Sequence, residues 1–424
     1  MQKKPLISYQ EAIDIIHQVA IKHAIKHNEP CLLADTVERV LAQDIHSPIS
    51  VPNFNNSAMD GFAVKSNIVN ESIKNNGSIR LEIEGSIQAG DPSATTVQSN
   101  HLAWEIMTGA PVPDHFDAVI QIENVVITDN GKKKFIEISE TVKKGRNVRM
   151  LGTDYQVNQL VASKQTTLQA QHIMALATVG IVSVDVIPKI KVAILSTGNE
   201  LFKVSSGILK SGTIFNSNQP FLKSFSKQLN CDPVFTGSCK DDIEAFNQLI
   251  DDALLKKVKI IFSTGAVSMG KYDFIPQALA QRGAKIHFHK SKIRPGKPIL
   301  FAELPDGTIY FGLPGNPIAA ASGMRFFVAP FITQMLGLKP ETKFTAKLTN
   351  DIKAKHGFRT FAKAYASIDT TGQLQVEMLR DQGSYQSRSF AHSNCWLIIP
   401  ENKGQTAAGE LIEIASMVPN QIIF

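Results

Sequence analysis

Three stretches of this chain share one design, and they limit what the chain can fold into. Lys191-Val-Ala-Ile-Leu195 runs into Ser196-Thr-Gly-Asn-Glu-Leu201. Val258-Lys-Ile-Ile-Phe262 runs into Ser263-Thr-Gly-Ala266, a loop that continues to Asp273. Ile309 to Gly312 runs into Leu313-Pro-Gly-Asn-Pro317. Short apolar runs of this length read as buried strands, and small residues after them let the backbone approach a ligand closely. Helical patterns lie between them, at about Gln219 to Leu229 and Ile243 to Leu255. Alternating strand and helix implies a mostly parallel sheet, whose strands end along one edge. Ligands bind at that edge in open α/β sheets.

The rest of the chain is organised around this unit. Ser8 is placed to cap a helix from Tyr9 to about Ala24, with Ala12, Ile15, Ile16, Val19 and Ala20 on one face. A second helical piece is expected at Asp35 to Gln43. From about Phe62 to Val148 the pattern is strand and turn, including Asp60-Gly61 and a hairpin at Asn130-Gly131. A helix from Leu168 to Thr178 closes at Gly180. Lys285 to His289 reads as a further strand, and Pro305-Asp-Gly307 joins a strand pair. Pro317 suits the first position of a long apolar helix reaching about Leu336, which Pro330 should kink. Beyond Gly337-Leu-Lys-Pro340 the pattern is short strands and turns. The expected division is a linking domain (1–46 and 146–182) and a β-rich insert (47–145). A central α/β domain (183–338) and a small C-terminal β domain (339–424) complete it.

Composition narrows function mainly by exclusion. The net charge of +6 is spread along the chain and does not argue for nucleic acid. The four cysteines, Cys31, Cys231, Cys239 and Cys395, form no Cys-x-x-Cys pair, so each reads as a small buried hydrophobe. The first residues lack a signal-peptide pattern, and no apolar run approaches the roughly 18 residues of a membrane span. The expectation is a soluble cytoplasmic protein. There is no P-loop, no Gly-x-Gly-x-x-Gly after a strand, and no nucleophile elbow.

Chemistry concentrates on the strand-end loops. Glu200, Asp241 and Asp273 would share one rim, and three carboxylates there suit a magnesium ion bridging to phosphate. Asp242 reads instead as a helix cap. Arg294-Pro-Gly-Lys-Pro298 holds two cations on one turn, with Lys290 and Lys292 near, which favours phosphate or another oxyanion. The helix opening at Leu313-Pro-Gly-Asn-Pro317 adds to that preference. Taken locally, Asp60 and Thr108 read as turn residues, and each carboxylate or basic turn also has an ordinary solvated reading.

Six motifs in order then carry a resemblance over essentially the whole chain. They are Ser57-Ala-Met-Asp-Gly-Phe-Ala63, Met107-Thr-Gly-Ala-Pro-Val-Pro113, Ser196 to Leu201, Ser263 to Asp273, Arg294 to Pro298 and Leu313 to Pro317. The sequence resembles the MoeA/gephyrin E-domain family of molybdopterin molybdenumtransferases. The resemblance implies a four-part α/β subunit with a MogA-like central domain, and a homodimer sharing its cleft between subunits. It implies insertion of molybdate into adenylylated molybdopterin, with release of AMP and a divalent cation such as Mg2+. It assigns catalytic positions to Asp60, Thr108, Glu200, Asp241 and Asp273, the last three also binding the cation. Substrate-binding positions fall on Asn218, Ser268, Arg294, Lys297, Pro298, Pro314 and Pro317. Arg359 and Ser384, from the C-terminal domain, look like residues that help hold molybdate. The sequence departs from the family pattern at Ala266, where Gly is usual, and at Ala319, where Ser is common. Arg294 stands where many members have Lys. Two alternatives stay open: a molybdopterin adenylyltransferase, and a non-catalytic molybdopterin-binding scaffold.

Overall fold

The computed structural model describes residues 6–92, 102–202, 209, 211–267 and 274–420. Ser268 and Asp273 lie outside the described residues. Helix α1 (Tyr9–Lys22) begins as expected at a capping box: Glu11 N–H donates to Ser8 Oγ at 3.1 Å, and Ser8 N–H donates to Glu11 Oε2 at 2.7 Å. Its face of Ala12, Ile13, Ile16, Val19 and Ala20 is buried in the largest apolar cluster, with Phe327, Phe331 and Met335.

The helix expected at Asp35 to Gln43 does not form. Only a short 3-10 turn, Leu33–Asp35, is present, and Glu38 has φ 64°. The N–H groups of Glu38 and Leu41 donate to the carbonyls of Leu168 and Thr166, at 2.8 and 2.9 Å. Pairing with a distant segment takes the donors that a helix would have used internally. The same region pairs Glu29–Leu32 antiparallel to Ser183–Val186.

The insert carries a six-stranded sheet of β1 (Gly61–Val64), β2 (Ile79–Ile87), β3 (Leu102–Ile106), β4 (Ala118–Gln121), β5 (Val126–Asp129) and β6 (Lys134–Ile138). The spatial order is β4-β1-β3-β2-β6-β5. It also holds a helix that the strand-like reading missed, α2 (Ser66–Asn76), with Ser66 N–H and Oγ donating to the Asp117 carboxylate at 2.7 and 2.9 Å. Helix α3 (Ala170–Thr178) follows, with Gly180 at φ 82° just beyond it.

The central unit alternates as the sequence requires. Its elements are β7 (Ile190–Thr197), α4 (Asn218–Gln228), β8 (Cys231–Cys239), α5 (Ile243–Leu255), β9 (Ile260–Thr264), α6 (Ile275–Gln281), β10 (Lys285–His289), β11 (Leu300–Glu303) and β12 (Ile309–Leu313). The strand order is β8-β7-β9-β12-β11-β10, with β8, β7, β9 and β12 mutually parallel and β11 antiparallel to both neighbours. Apolar clusters cover both faces, one around Phe262 and Phe311 and the other around Phe246 and Tyr310.

The long helix is divided. Helix α7 (Pro317–Gly323) passes through a π turn, Met324–Val328, into α8 (Ala329–Met335). Pro330 has no N–H for the Phe326 carbonyl four residues back, and the Tyr9 hydroxyl donates to that carbonyl at 3.2 Å.

The C-terminal strands are β13 (Phe344–Leu348), β14 (Arg359–Ile368), β15 (Leu374–Met378), β16 (Cys395–Ile399) and β17 (Leu411–Ser416). The order β14-β15-β13-β17-β16 returns to β14, so the sheet closes into a five-stranded barrel. Ile293 and Arg294 pair in parallel with Arg359 and Thr360 at the start of β14, which ties the barrel to the basic turn of the central unit. No helix among the described residues is long and apolar enough to cross a membrane.

Candidate functional site

Parallel register brings the three strand-end loops together. Ser196 lies opposite Thr264 and Thr264 opposite Leu313, so β7, β9 and β12 stop side by side. Gly265 has φ 94°, and a Cβ there would sit 2.2 Å from the Thr197 carbonyl oxygen, so no side chain fits. The next residue, Ala266, holds φ 48°, a left-handed conformation that glycine adopts at less cost. A Cβ on Gly198 would lie 2.7 Å from the Glu200 carboxylate, so this glycine leaves room for that acid.

These loops line a cleft of about 670 Å3 that includes Glu200, Asn218, Asp241, Gly265 and Pro317. Asn218 Nδ2 donates to the Gly315 carbonyl at 2.7 Å, joining α4 to the third loop. Asp241 N–H donates to Asn199 Oδ1 at 3.3 Å. Burial, reinforced by the Asp241 and Asp242 carboxylates, pushes the Cys239 thiol up to about 11. Asp242 itself caps α5, accepting from Ala245 N–H at 2.7 Å, as its position in the sequence suggests.

A second cleft, also about 670 Å3, lies between the central unit and the barrel. Arg294, Lys297, Lys353 and Lys355 line it, and no carboxylate among the described residues does. Its basic turn is fixed from behind. Ser322 Oγ donates to the Pro295 carbonyl at 3.0 Å, and a Cβ on Gly296, at φ 102°, would come within 2.9 Å of that hydroxyl oxygen. Pro298, Pro314, Asn316 and Tyr385 line both clefts, so the two form one trough with an acidic and a basic arm.

Ser384 stands at the junction. Asn316 Nδ2 donates to its hydroxyl at 3.1 Å, and Ile318 N–H donates to its carbonyl at 2.9 Å. That N–H in the first turn of α7 is therefore taken by protein. The turn carrying Ser384 is clamped by Lys363, whose side chain is buried. Its ammonium donates to the carbonyls of Asp381, Gly383 and Gln386, at 2.6, 3.3 and 3.1 Å. Burial lowers the Lys363 pKa. No motif points to this residue in the sequence. Its signal is a lone lysine amid apolar neighbours on a strand.

The structure separates other residues from the trough. Asp60 and Thr108 face each other in the insert, where Thr108 N–H and Oγ donate to Asp60 Oδ1 at 2.6 and 2.8 Å. Neither lines either arm. Arg359 is absent from both linings as well. It pairs with Glu401 at 3.1 Å and lies over the Tyr9 ring at 4.8 Å from the centroid. Ala319 is buried and lines the basic arm without a hydroxyl. Lys353, Lys355 and Tyr385, which sequence reasoning passed over, do line it. Among the described residues no group of three or more His, Cys, Asp or Glu is placed to hold a metal ion. Glu200 and Asp241 nevertheless share one arm, and one or two carboxylates with substrate phosphates suffice for magnesium.

Family models match the chain in three consecutive parts. Residues 7–180 match the MoeA N-terminal region (domain I and II), 193–334 a probable molybdopterin binding domain, and 345–417 the MoeA C-terminal region (domain IV). A molybdopterin molybdenumtransferase of Haemophilus influenzae is 33% identical over 385 residues, covering 90% of this chain and 92% of that protein. One from Synechococcus elongatus is 31% identical over 413 residues, covering 97% and 100%. The crystal structure of the molybdopterin biosynthesis moeA protein of Pyrococcus horikoshii superposes with a TM-score of 0.81 at 27% identity, covering 97% of this chain and 99% of that one.

Proposed function

This chain belongs to the MoeA family, and we propose that it is a molybdopterin molybdenumtransferase that inserts molybdate into adenylylated molybdopterin and releases AMP. One observation carries the reading: an acidic arm and a basic arm lined by four cations meet in a single trough at Pro298, Pro314, Asn316 and Tyr385. The substrate needs both. Its adenylyl end would lie along the strand-end loops, where glycine backbones admit close approach and Asn218 stands beside Gly315. Its dithiolene end would reach toward the basic arm, where Arg294 and Lys297 attract the oxyanion.

Glu200 and Asp241 would hold Mg2+ there, with Asp273 as the third ligand implied by the family pattern. When bound, the ion supplies positive charge to the adenylyl phosphate. The chain's own groups do the positioning. Ser322 keeps the basic turn in place, and Lys363 keeps Ser384 at the mouth of the basic arm. Catalysis of this kind rests on orientation and on fixed charges facing the phosphoryl and oxyanion groups. The Asp60–Thr108 pair lies off the trough in its own subunit. We therefore propose a homodimer in which a second copy brings this pair to the cleft, in a cytoplasmic protein that acts on soluble substrates.

The test is to incubate the protein with adenylylated molybdopterin, molybdate and magnesium, and to follow AMP and active cofactor. AMP release that depends on molybdate supports the reading, and its absence overturns it. Consumption of ATP with free molybdopterin would indicate an adenylyltransferase instead.

A further inference from the structure

We infer that Lys353 and Lys355 form the second cationic wall of the basic arm and hold the tetrahedral oxyanion against Arg294 and Lys297. The inference deepens the molybdenumtransferase reading and rests on it.

The local sequence is Asp351-Ile-Lys-Ala-Lys355. Ile352 is buried in the barrel core, and Ala354 packs partly against it. Alternation along extended backbone therefore places Lys353 and Lys355 on the opposite face. Both lysines are exposed and line the basic arm, with Ala354 between them. The backbone that carries them is fixed. Ile352 and Lys353 pair with Thr406 and Gln405, and Ala354 N–H donates to the Gly404 carbonyl at 2.9 Å. Lys355 Nζ rests 4.9 Å from the centroid of the Phe358 ring, a contact that keeps the ammonium near the arm without neutralising it.

Neither lysine has a carboxylate partner among the described residues, nor do Arg294 and Lys297. With no acid among the described residues of the lining, the four charges add inside one concave space. A dianion gains most from that arrangement. Arg359 is differently placed: its guanidinium is shared between Glu401 and the Tyr9 ring, so its charge is largely spent within the fold.

Titration calorimetry with molybdate alone tests this on the full chain, comparing wild type with Lys353→Gln/Lys355→Gln, Lys355→Gln and Arg359→Gln. The double variant should bind molybdate about tenfold more weakly or worse, as expected for loss of two facing charges, and should show a flatter dependence on salt. Arg359→Gln should weaken binding less and should lower the thermal midpoint more, because it breaks a packed ion pair. The lysines are exposed, so their variants should keep the wild-type midpoint. Wild-type affinity in both lysine variants, or a larger loss for Arg359→Gln, overturns the inference. If wild-type protein binds molybdate but releases no AMP, the molybdenumtransferase reading fails while the lysine wall stands. If wild-type protein binds no molybdate, the lysine wall falls, while molybdate-dependent AMP release decides the molybdenumtransferase reading on its own.

Discussion

Ala266 shows how a single methyl group can matter at a strand end. It lies beside Gly265 on the wall of the acidic arm, with φ 48°. An L-residue with a Cβ costs roughly 1 kcal/mol in that conformation, partly offset by its smaller entropy loss on folding. Ala266→Gly should therefore raise stability by about 0.5 kcal/mol, read as a shift in the urea midpoint. An unchanged or lower midpoint would mean that the neighbouring loop relieves the strain. Asp60 makes a different residue-scale prediction. The Thr108 N–H and hydroxyl both donate to its carboxylate and hold its pKa below the usual value. A carboxylate depressed in the folded state stabilises fully above its unfolded pKa, and that contribution is lost as pH falls through the folded pKa. The stability difference between wild type and Asp60→Ala should thus be flat above about pH 5 and shrink on acidification. A difference that persists unchanged in acid would place the pair's value in packing. The backbone glycines and the strand-end acids were legible in the sequence because spacing alone marks them. Lys363 was not, since its meaning depends on three carbonyls contributed by a turn about 20 residues away.

At the scale of elements, β8 delivers two adjacent acids to different tasks. Asp241 lines the acidic arm, whereas Asp242 caps α5 through Ala245 N–H. Asp242→Ala should cost about 1 kcal/mol of stability, the usual worth of a helix cap, with AMP release kept near wild type. Asp241→Asn should leave the unfolding midpoint nearly unchanged and reduce AMP release at least tenfold, the scale of losing one charge in a low-dielectric cleft. Equal effects of the two changes on turnover would deny Asp241 a distinct role. The central elements could be read from sequence because buried parallel strands are short apolar runs separated by amphipathic helices. The expected helix at Asp35 to Gln43 failed for a reason no local pattern contains: its donors pair with Thr166 and Leu168. Where a kink is expected at Pro330, a π turn lies just ahead of it, and the Tyr9 hydroxyl donates to the Phe326 carbonyl that Pro330 leaves without its helical donor.

The whole molecule poses the question of completeness. The barrel is joined to the basic turn by the pairing of Arg294 with Thr360, so both arms of the trough are built within one chain. That closure could not be read from short β segments, whose partners are set by distant contacts. The Asp60–Thr108 pair, however, belongs to the insert and lies off the trough. If a second copy supplies it, two differently broken chains should repair each other. Asp60→Ala damages what a subunit gives, and Lys297→Ala damages the cleft that receives it. Each homodimer should then be nearly inactive. Co-refolded in equal amounts, half of the dimers would be mixed, and each mixed dimer would hold one intact site, giving about a quarter of wild-type AMP release. A cleft completed within its own chain predicts no recovery at all. Size-exclusion chromatography of the mixture must show that the chains have exchanged, since recovery can arise only in mixed dimers.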